Sequence, residues 1–288
     1  KTGNLVLKSD CVVAGIDYDP VTKRASGVRV IDANTRTRTT YTAKIIFLCA
    51  STAGSTQVLM NSRSASFPNG LANSSGALGH YLMDHTTAQG AIGVMPGHEN
   101  KVVYGNRPNG TYIPRFRNLD GQDDDAEFIR GYGYQGMAMR RGWQSLVDQT
   151  PGFGEELKSA LRKPGPWMML LTGFGECLPY RENRLELDSS KTDRFGIPQV
   201  RFQFSFKENE NRMRDDIVSQ ASTMLKTAGS VYVIPFNNNS VGGQAIHEMG
   251  TARMGDDPTK SVLNAWNQAH DIPNLFVTDG SCMTSTSC

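Results

Sequence analysis

The sequence has 288 residues, and its 30 Lys and Arg against 28 Asp and Glu leave a net charge of +2, too weak a field to argue for nucleic-acid binding. Hydrophobic residues make up 38% and charged residues 20%, which excludes a disordered chain and allows a buried core. The longest apolar runs, Ile45–Ala50 and Trp167–Leu171, fall far short of the roughly 20 residues a membrane-spanning helix needs.

In chain order, Cys11–Tyr18 reads as a strand closed by a turn at Asp19-Pro20, where proline presets the turn dihedral. Gly27–Ile31 and Thr37–Tyr41 flank a turn near Ala33-Asn34 and complete an antiparallel meander. The continuous apolar run Lys44–Ala50 predicts a strand buried on both faces of a parallel sheet. Ser51–Ser55 then reads as a small-residue turn leading into a helix, Thr56–Asn61. Strand, turn and helix make half of a βαβ unit, the place where such folds hold a nucleotide or flavin.

From Phe67 to Gly165, glycine and proline are frequent and periodicity is weak; Asp123–Asp125 reads as a solvated loop. Val200–Lys207 alternates strictly, so Val200, Phe202, Phe204 and Phe206 are expected on a core face, with Asn183–Leu187 as a partner strand. A helix follows over Asn209–Thr227, with Met213, Ile217, Ala221 and Met224 in one stripe and Gly229 as its stop. Ser230–Phe236 returns as a strand, and Asn274–Thr278 is a buried strand ending at Asp279-Gly280. The fold class expected is therefore α/β plus α+β. Residues 1–66 and 242–288 form parts of a nucleotide-type domain, and residues 67–241 form an inserted domain built on an antiparallel sheet.

The five cysteines, Cys11, Cys49, Cys177, Cys282 and Cys288, contain no C-x-x-C pair, so neither a zinc site nor a complete disulfide framework is indicated. Cys11 and Cys49 lie in apolar runs and read as buried small hydrophobes. The chain starts at Lys1 and stops at Cys288 inside a Ser/Thr/Cys run, and we read it as a piece of a longer protein. The lack of a signal peptide then carries no weight. The N-x-S/T tripeptides at Asn73, Asn109 and Asn238 are too short a pattern to fix a compartment.

Two constellations carry chemistry. His247 precedes a Gly250-Thr251 turn within His247–Gly255, and an imidazole held at a cleft edge suits general-base removal of a hydroxyl proton. Asp279 ends a buried strand, where a carboxylate can accept hydrogen bonds from the hydroxyls of a cofactor. Taken singly, a histidine beside a glycine turn and an aspartate after a strand are ordinary structural residues.

In order along the chain, H-x-x-G-T-x-R-M-G (His247–Gly255), S-V-L-N (Ser261–Asn264) and N-L-F-V-T-D-G-S (Asn274–Ser281) resemble the C-terminal part of the glucose–methanol–choline (GMC) family of flavin oxidoreductases. Upstream, Asn4–Val13 resembles the family segment beside the adenine of FAD, and Ile45–Leu59 resembles its strand–turn–helix. Thr56 stands where proline is common, and Asn61–Ser64 replaces the family's S-G-I-G. Leu78–His85, Arg130–Gly136 and His247–Gly255 are similar to the bacterial sugar dehydrogenase branch, which includes gluconate 2-dehydrogenase and glucoside 3-dehydrogenase large subunits.

The resemblance implies a partial Rossmann-like FAD-binding domain with an inserted substrate domain. It implies FAD as cofactor, an alcohol or sugar as substrate, His247 as the base, and Val13, Asp279 and Gly280 against FAD. A small accessory subunit, a cytochrome acceptor and a periplasmic location are further implications of that branch. The family's second catalytic His or Asn and its G-x-G-x-x-G loop are absent from the sequence, so these 288 residues are expected to be inactive alone. Gly131–Gly136 spells the loop pattern without a preceding buried strand or a following helix, and is read as a chance match. His80, Asp84 and His85 are read as a helix cap and the entry to the second domain, not a metal site, and Arg253 as a brace bonding backbone carbonyls. An oxidase using oxygen, and a non-catalytic carbohydrate-binding module or flavoprotein relic, remain open as alternatives.

Overall fold

The meander expected from the first 40 residues is present in the computed structural model, which describes residues 2–101, 110–119, 126–140 and 142–287. Asn109, the aspartate run Asp123–Asp125 and Cys288 lie outside the described residues. Strands β1 (Cys11–Asp19), β2 (Arg24–Asp32) and β3 (Arg38–Tyr41) pair antiparallel in sequence order. Asp19 closes the first turn by accepting the Val21 N–H and the Thr22 hydroxyl, and Asp32 closes the second through the Asn34 and Thr35 N–H groups.

β4 (Ile46–Leu48) is shorter than the apolar run around it and pairs in parallel with β12 (Leu275–Val277), the strand expected before Asp279. Ile46 and Leu48 are buried, whereas Phe47 is 62% exposed and stacks on Phe276, with ring centroids 5.1 Å apart. The expectation of burial on both faces is thus corrected: this chain covers one face of the pair. Helix α1 (Ser51–Asn61) begins at once, so Ser51–Ser55 is its first turn and not a separate loop. Thr52, Ser55 and Thr56 are buried on α1, and hydroxyl bonds satisfy them, including Thr56 Oγ1 to the Thr52 carbonyl at 2.8 Å.

The chain divides into two compact units. The first comprises residues 1–84, 178–205 and 246–286, and the second residues 85–177, 206–245 and 287–288. These limits differ from boundaries after residues 66 and 241. Leu71 and Leu78 belong to the first unit's core together with Leu59, Leu263, Leu275 and Val277. In the same unit, β9 (Arg184–Thr192) pairs with β10 (Pro198–Gln203), the partnership expected from the alternation. β9 is tied by the Leu185 N–H to the Gly79 carbonyl at 2.8 Å. The phenylalanine face is corrected, however: β10 ends at Gln203, and Phe202 is 47% exposed.

The second unit is a five-stranded antiparallel sheet in the order β11 (Tyr232–Asn237), β5 (Thr86–Met95), β8 (Trp167–Gly175), β7 (Tyr132–Arg140), β6 (Gly110–Ile113). A short helix, α2 (Gly154–Leu161), precedes β8. Helix α3 (Glu208–Thr227) covers one face of the sheet with Met213, Ile217, Ala221 and Leu225 buried, while Met224 packs half-buried beside them. Gly173 admits this contact, since a Cβ there would stand 2.3 Å from Ile217 Cγ2. At the helix end the Gly229 N–H bonds Lys226 and the Ser230 N–H bonds Leu225, the paired bonds of a glycine stop. The pattern Gly131–Gly136 lies at β7, where Tyr132 and Tyr134 are buried against α3, so it is part of a sheet and not a phosphate loop.

Candidate active site

Two stretches of the first unit, residues 246–255 and 279–283, meet the N-terminal half of α1, and residues 79–84 pair with the first of them. β12 delivers Asp279, whose carboxyl oxygens accept the Ser281 N–H at 2.9 Å, the Ser281 hydroxyl at 2.6 Å and the Ser55 hydroxyl at 2.5 Å. It thereby caps the 3-10 turn Gly280–Cys282 and ties that turn to α1. Ser55 Oγ in turn accepts the Ala50 N–H at 3.0 Å, which holds the strand-to-helix corner.

The two sequence motifs run side by side. Gly250 N–H bonds the Gly280 carbonyl at 3.0 Å, Ala252 N–H bonds Ser281 at 2.9 Å, and Met254 N–H bonds Cys282 at 3.0 Å. Thr52 Oγ1 donates to the Glu248 carbonyl at 2.5 Å, and the Thr56 and Thr251 hydroxyls lie 2.7 Å apart. Only glycine fits at position 280, because a Cβ would stand 2.7 Å from both the Glu248 carbonyl oxygen and Thr52 Oγ1. On the other side, Met83 and Met249 exchange both backbone bonds, at 2.9 and 3.0 Å, and Gly79 N–H bonds the Thr251 carbonyl at 2.7 Å.

His247 enters this arrangement with an exposed side chain, while its N–H donates to Asp84 Oδ1 at 3.2 Å. The structure therefore brings the His247 segment, Asp279 and Gly280 together. Val13 stands elsewhere. It is 36% exposed on β1, opposite Val30, and β1 meets α1 at the helix's far end through Ile16 N–H to Ser62 Oγ at 2.7 Å.

Two smaller expectations are corrected. No helix starts at residues 80–85; the stretch forms the Met83–Met249 bridge instead. Of the groups there, His80 Nδ1 bonds the Arg181 carbonyl at 2.8 Å, Asp84 accepts the His247 N–H, and His85 Nε2 bonds the Ser287 carbonyl at 2.7 Å. Among the described residues Arg253 bonds no carbonyl with its side chain. Its guanidinium lies over the Tyr81 ring, 4.1 Å from the centroid, and its buried Nε has no hydrogen-bond partner.

Thr52 and Ser55 are residues that sequence reading did not place in the site, while Thr251 was named only within its turn and Asp84 only as a cap and domain entry. The first two were hidden by reading Ser51–Ser55 as a turn, although Thr52, Ser55 and Thr56 share one helical face. Asp84 has no local signal, since its bond spans 163 positions.

The residues present fit the edge of a hydroxyl-bearing cofactor. A carboxylate offers about four lone-pair positions, and the bonds to Asp279 use one fewer, leaving a half-buried acceptor position for a hydroxyl.

The GMC oxidoreductase family model matches residues 179–288. The 2-methyl-1,2-propanediol dehydrogenase of Mycolicibacterium austroafricanum is 30% identical over 91% of this chain and 47% of its own length. The fructose dehydrogenase large subunit of Gluconobacter japonicus is 26% identical over 85% of this chain and 43% of its own. The gluconate 2-dehydrogenase flavoprotein of Pantoea cypripedii is 28% identical over 46% of this chain and 22% of its own. The chain thus spans less than half the length of these curated relatives. Among solved structures, a formate oxidase of Aspergillus oryzae superposes with a TM-score of 0.60 at 13% identity, over 95% of this chain and 56% of its own. Pyridoxine 4-oxidase from Mesorbium loti gives 0.52 at 16%, over 96% and 53%. At such identities the likeness is one of fold, mixed α/β with antiparallel sheets.

Proposed function

We propose that this chain, whose residues 179–288 match the GMC oxidoreductase family model, is part of an FAD-dependent dehydrogenase that oxidises an alcohol or sugar at a CH–OH group. The observation that carries the reading is the pairing of residues 250–254 with residues 280–282 over the start of α1. That pairing sets an exposed histidine and a half-buried carboxylate on one small scaffold.

FAD, when bound, supplies the acceptor for the hydride that leaves the carbinol carbon. His247 takes the hydroxyl proton on a ring nitrogen, so that charge does not build up on the substrate oxygen. Asp279 accepts a hydrogen bond from a cofactor hydroxyl, and Gly280 keeps the backbone close where a side chain would push it away. Val13, 36% exposed, would offer FAD an apolar contact, and β4, α1 and β12 would belong to a Rossmann-like FAD-binding domain. The antiparallel sheet and α3 would make the substrate domain inserted between its pieces.

The similarity to dehydrogenases of a diol and of fructose supports an alcohol or sugar as substrate. The relative described as a large subunit supports an accessory subunit; a cytochrome acceptor and a periplasmic location rest on the family resemblance alone. The oxidase reading is supported by similarity to the paromamine 6'-oxidase of Streptomyces fradiae, 31% identical over 36% of this chain and 19% of its own length. The test is made on the purified full-length protein. Flavin bands in its visible spectrum, with an alcohol reducing a dye and forming little peroxide, are the expected result. Peroxide formed in step with alcohol consumption would replace the dehydrogenase by an oxidase, and a colourless protein would remove the enzyme reading.

A further inference from the structure

The stretch that carries His247 is strained. Ile246 has φ +55° and Thr251 has φ +79°, both in the left-handed region that a β-branched residue rarely adopts. For Thr251 the compensation is evident: the residue is fully buried, its N–H bonds the His80 carbonyl at 3.1 Å, and its hydroxyl meets that of Thr56. Ile246 has no such support from its own side chain, which is 78% exposed. Whatever offsets its strain must act on the backbone beside it.

The group placed to do so is Asp84. It is 1% exposed, and its Oδ1 accepts the N–H of His247 at 3.2 Å, the first N–H after the strained residue. Asp84 is itself fixed, because the residue before it exchanges two backbone bonds with Met249. One rigid bridge therefore holds both ends of the Ile246–Met249 stretch: Asp84 at its start and Met83 at its finish. Backbone strain persists only where surrounding structure over-determines it, and at functional sites it fixes geometry.

We propose that Asp84 is the positioning residue of this site. Its buried carboxyl group holds the His247 peptide against the strain at Ile246 and so sets where the imidazole stands. The inference rests on His247 being the base and adds the residue that places it. Asp84 acts through the backbone, so what matters is its acceptor oxygen.

The test uses the flavin-loaded full-length protein with a reducing alcohol. Asp84→Ala should slow flavin reduction about 30-fold with KM within about threefold, since a base displaced by about an ångström loses rate before binding. Asp84→Asn keeps the acceptor oxygen and should stay within about threefold of the parent rate. Adding Ile246→Gly to Asp84→Ala removes the strain and should recover about tenfold. Deuterium exchange at the His247 amide, read without turnover, should rise at least about tenfold in Asp84→Ala and stay unchanged in Asp84→Asn. Parental rates or unchanged exchange in Asp84→Ala would overturn the proposal, as would no recovery on adding Ile246→Gly. If the alanine variant loses flavin, Asp84→Asn decides: parental rate and exchange support the proposal, and a loss beyond about tenfold overturns it. Parental reduction in His247→Ala would instead refute the base, while the exchange result at His247 would still judge Asp84.

Discussion

His247→Ala is expected to slow the reduction of bound flavin by about 100-fold or more, the scale on which a positioned general base acts. Substrate binding should change little, because the removed group works on a proton that moves only as the carbinol is oxidised. The flavin should stay bound, since the side chain is exposed and the ladder of residues 250–254 with 280–282 is made of backbone bonds that alanine leaves intact. Stopped-flow absorbance under anaerobic conditions measures the rate directly. Reduction at the parent rate with flavin retained would remove His247 from the mechanism.

Asp279→Ala should act on stability and cofactor together. The carboxyl group accepts from Ser55, the Ser281 N–H and the Ser281 hydroxyl, and its loss leaves the buried Ser55 and Ser281 donors without that acceptor. A cost of about 3 kcal/mol is the scale for stranding such groups, and it should appear as a lower midpoint in a urea titration. FAD affinity should fall by at least about tenfold, one hydrogen bond to a charged acceptor being worth that much. Flavin fluorescence on dilution reads the affinity. An Asp279→Ala variant with parental midpoint and parental flavin retention would show that the carboxylate serves neither purpose.

How far the sequence could be read varied with where its signals lie. The meander was legible because Asp19-Pro20 and Asp32–Asn34 are local turn chemistry, and α3 because Met213, Ile217 and Ala221 recur at helical spacing. β5, β7 and β8 were not legible. Gly90, Gly93, Gly133, Gly136, Gly173 and Gly175 interrupt their alternation, and for several of these glycines the reason lies in a distant neighbour, as Gly173 beneath Ile217 shows. Phe47 and Phe202 misled for a different reason. Alternation reports which residues share a face, and burial of that face depends on what lies across it. At the candidate site, His247, Asp279 and Gly280 were named from their motifs, and backbone bonds of residues 250–254 with residues 280–282 join the segments that carry them. Asp84 and Ser55 could not be found that way, because the contact that places each in the site joins residues more than 150 positions apart.

The most direct measurement mixes the full-length protein anaerobically with an alcohol carrying protium or deuterium on the carbinol carbon and follows the flavin absorbance. The account predicts that the bands bleach in a single turnover, more slowly with deuterium, because the C–H bond breaks as the hydroxyl proton passes to His247. Flavin that stays oxidised with every alcohol and sugar tried, in a protein that holds it, would contradict the assignment of this scaffold to CH–OH oxidation.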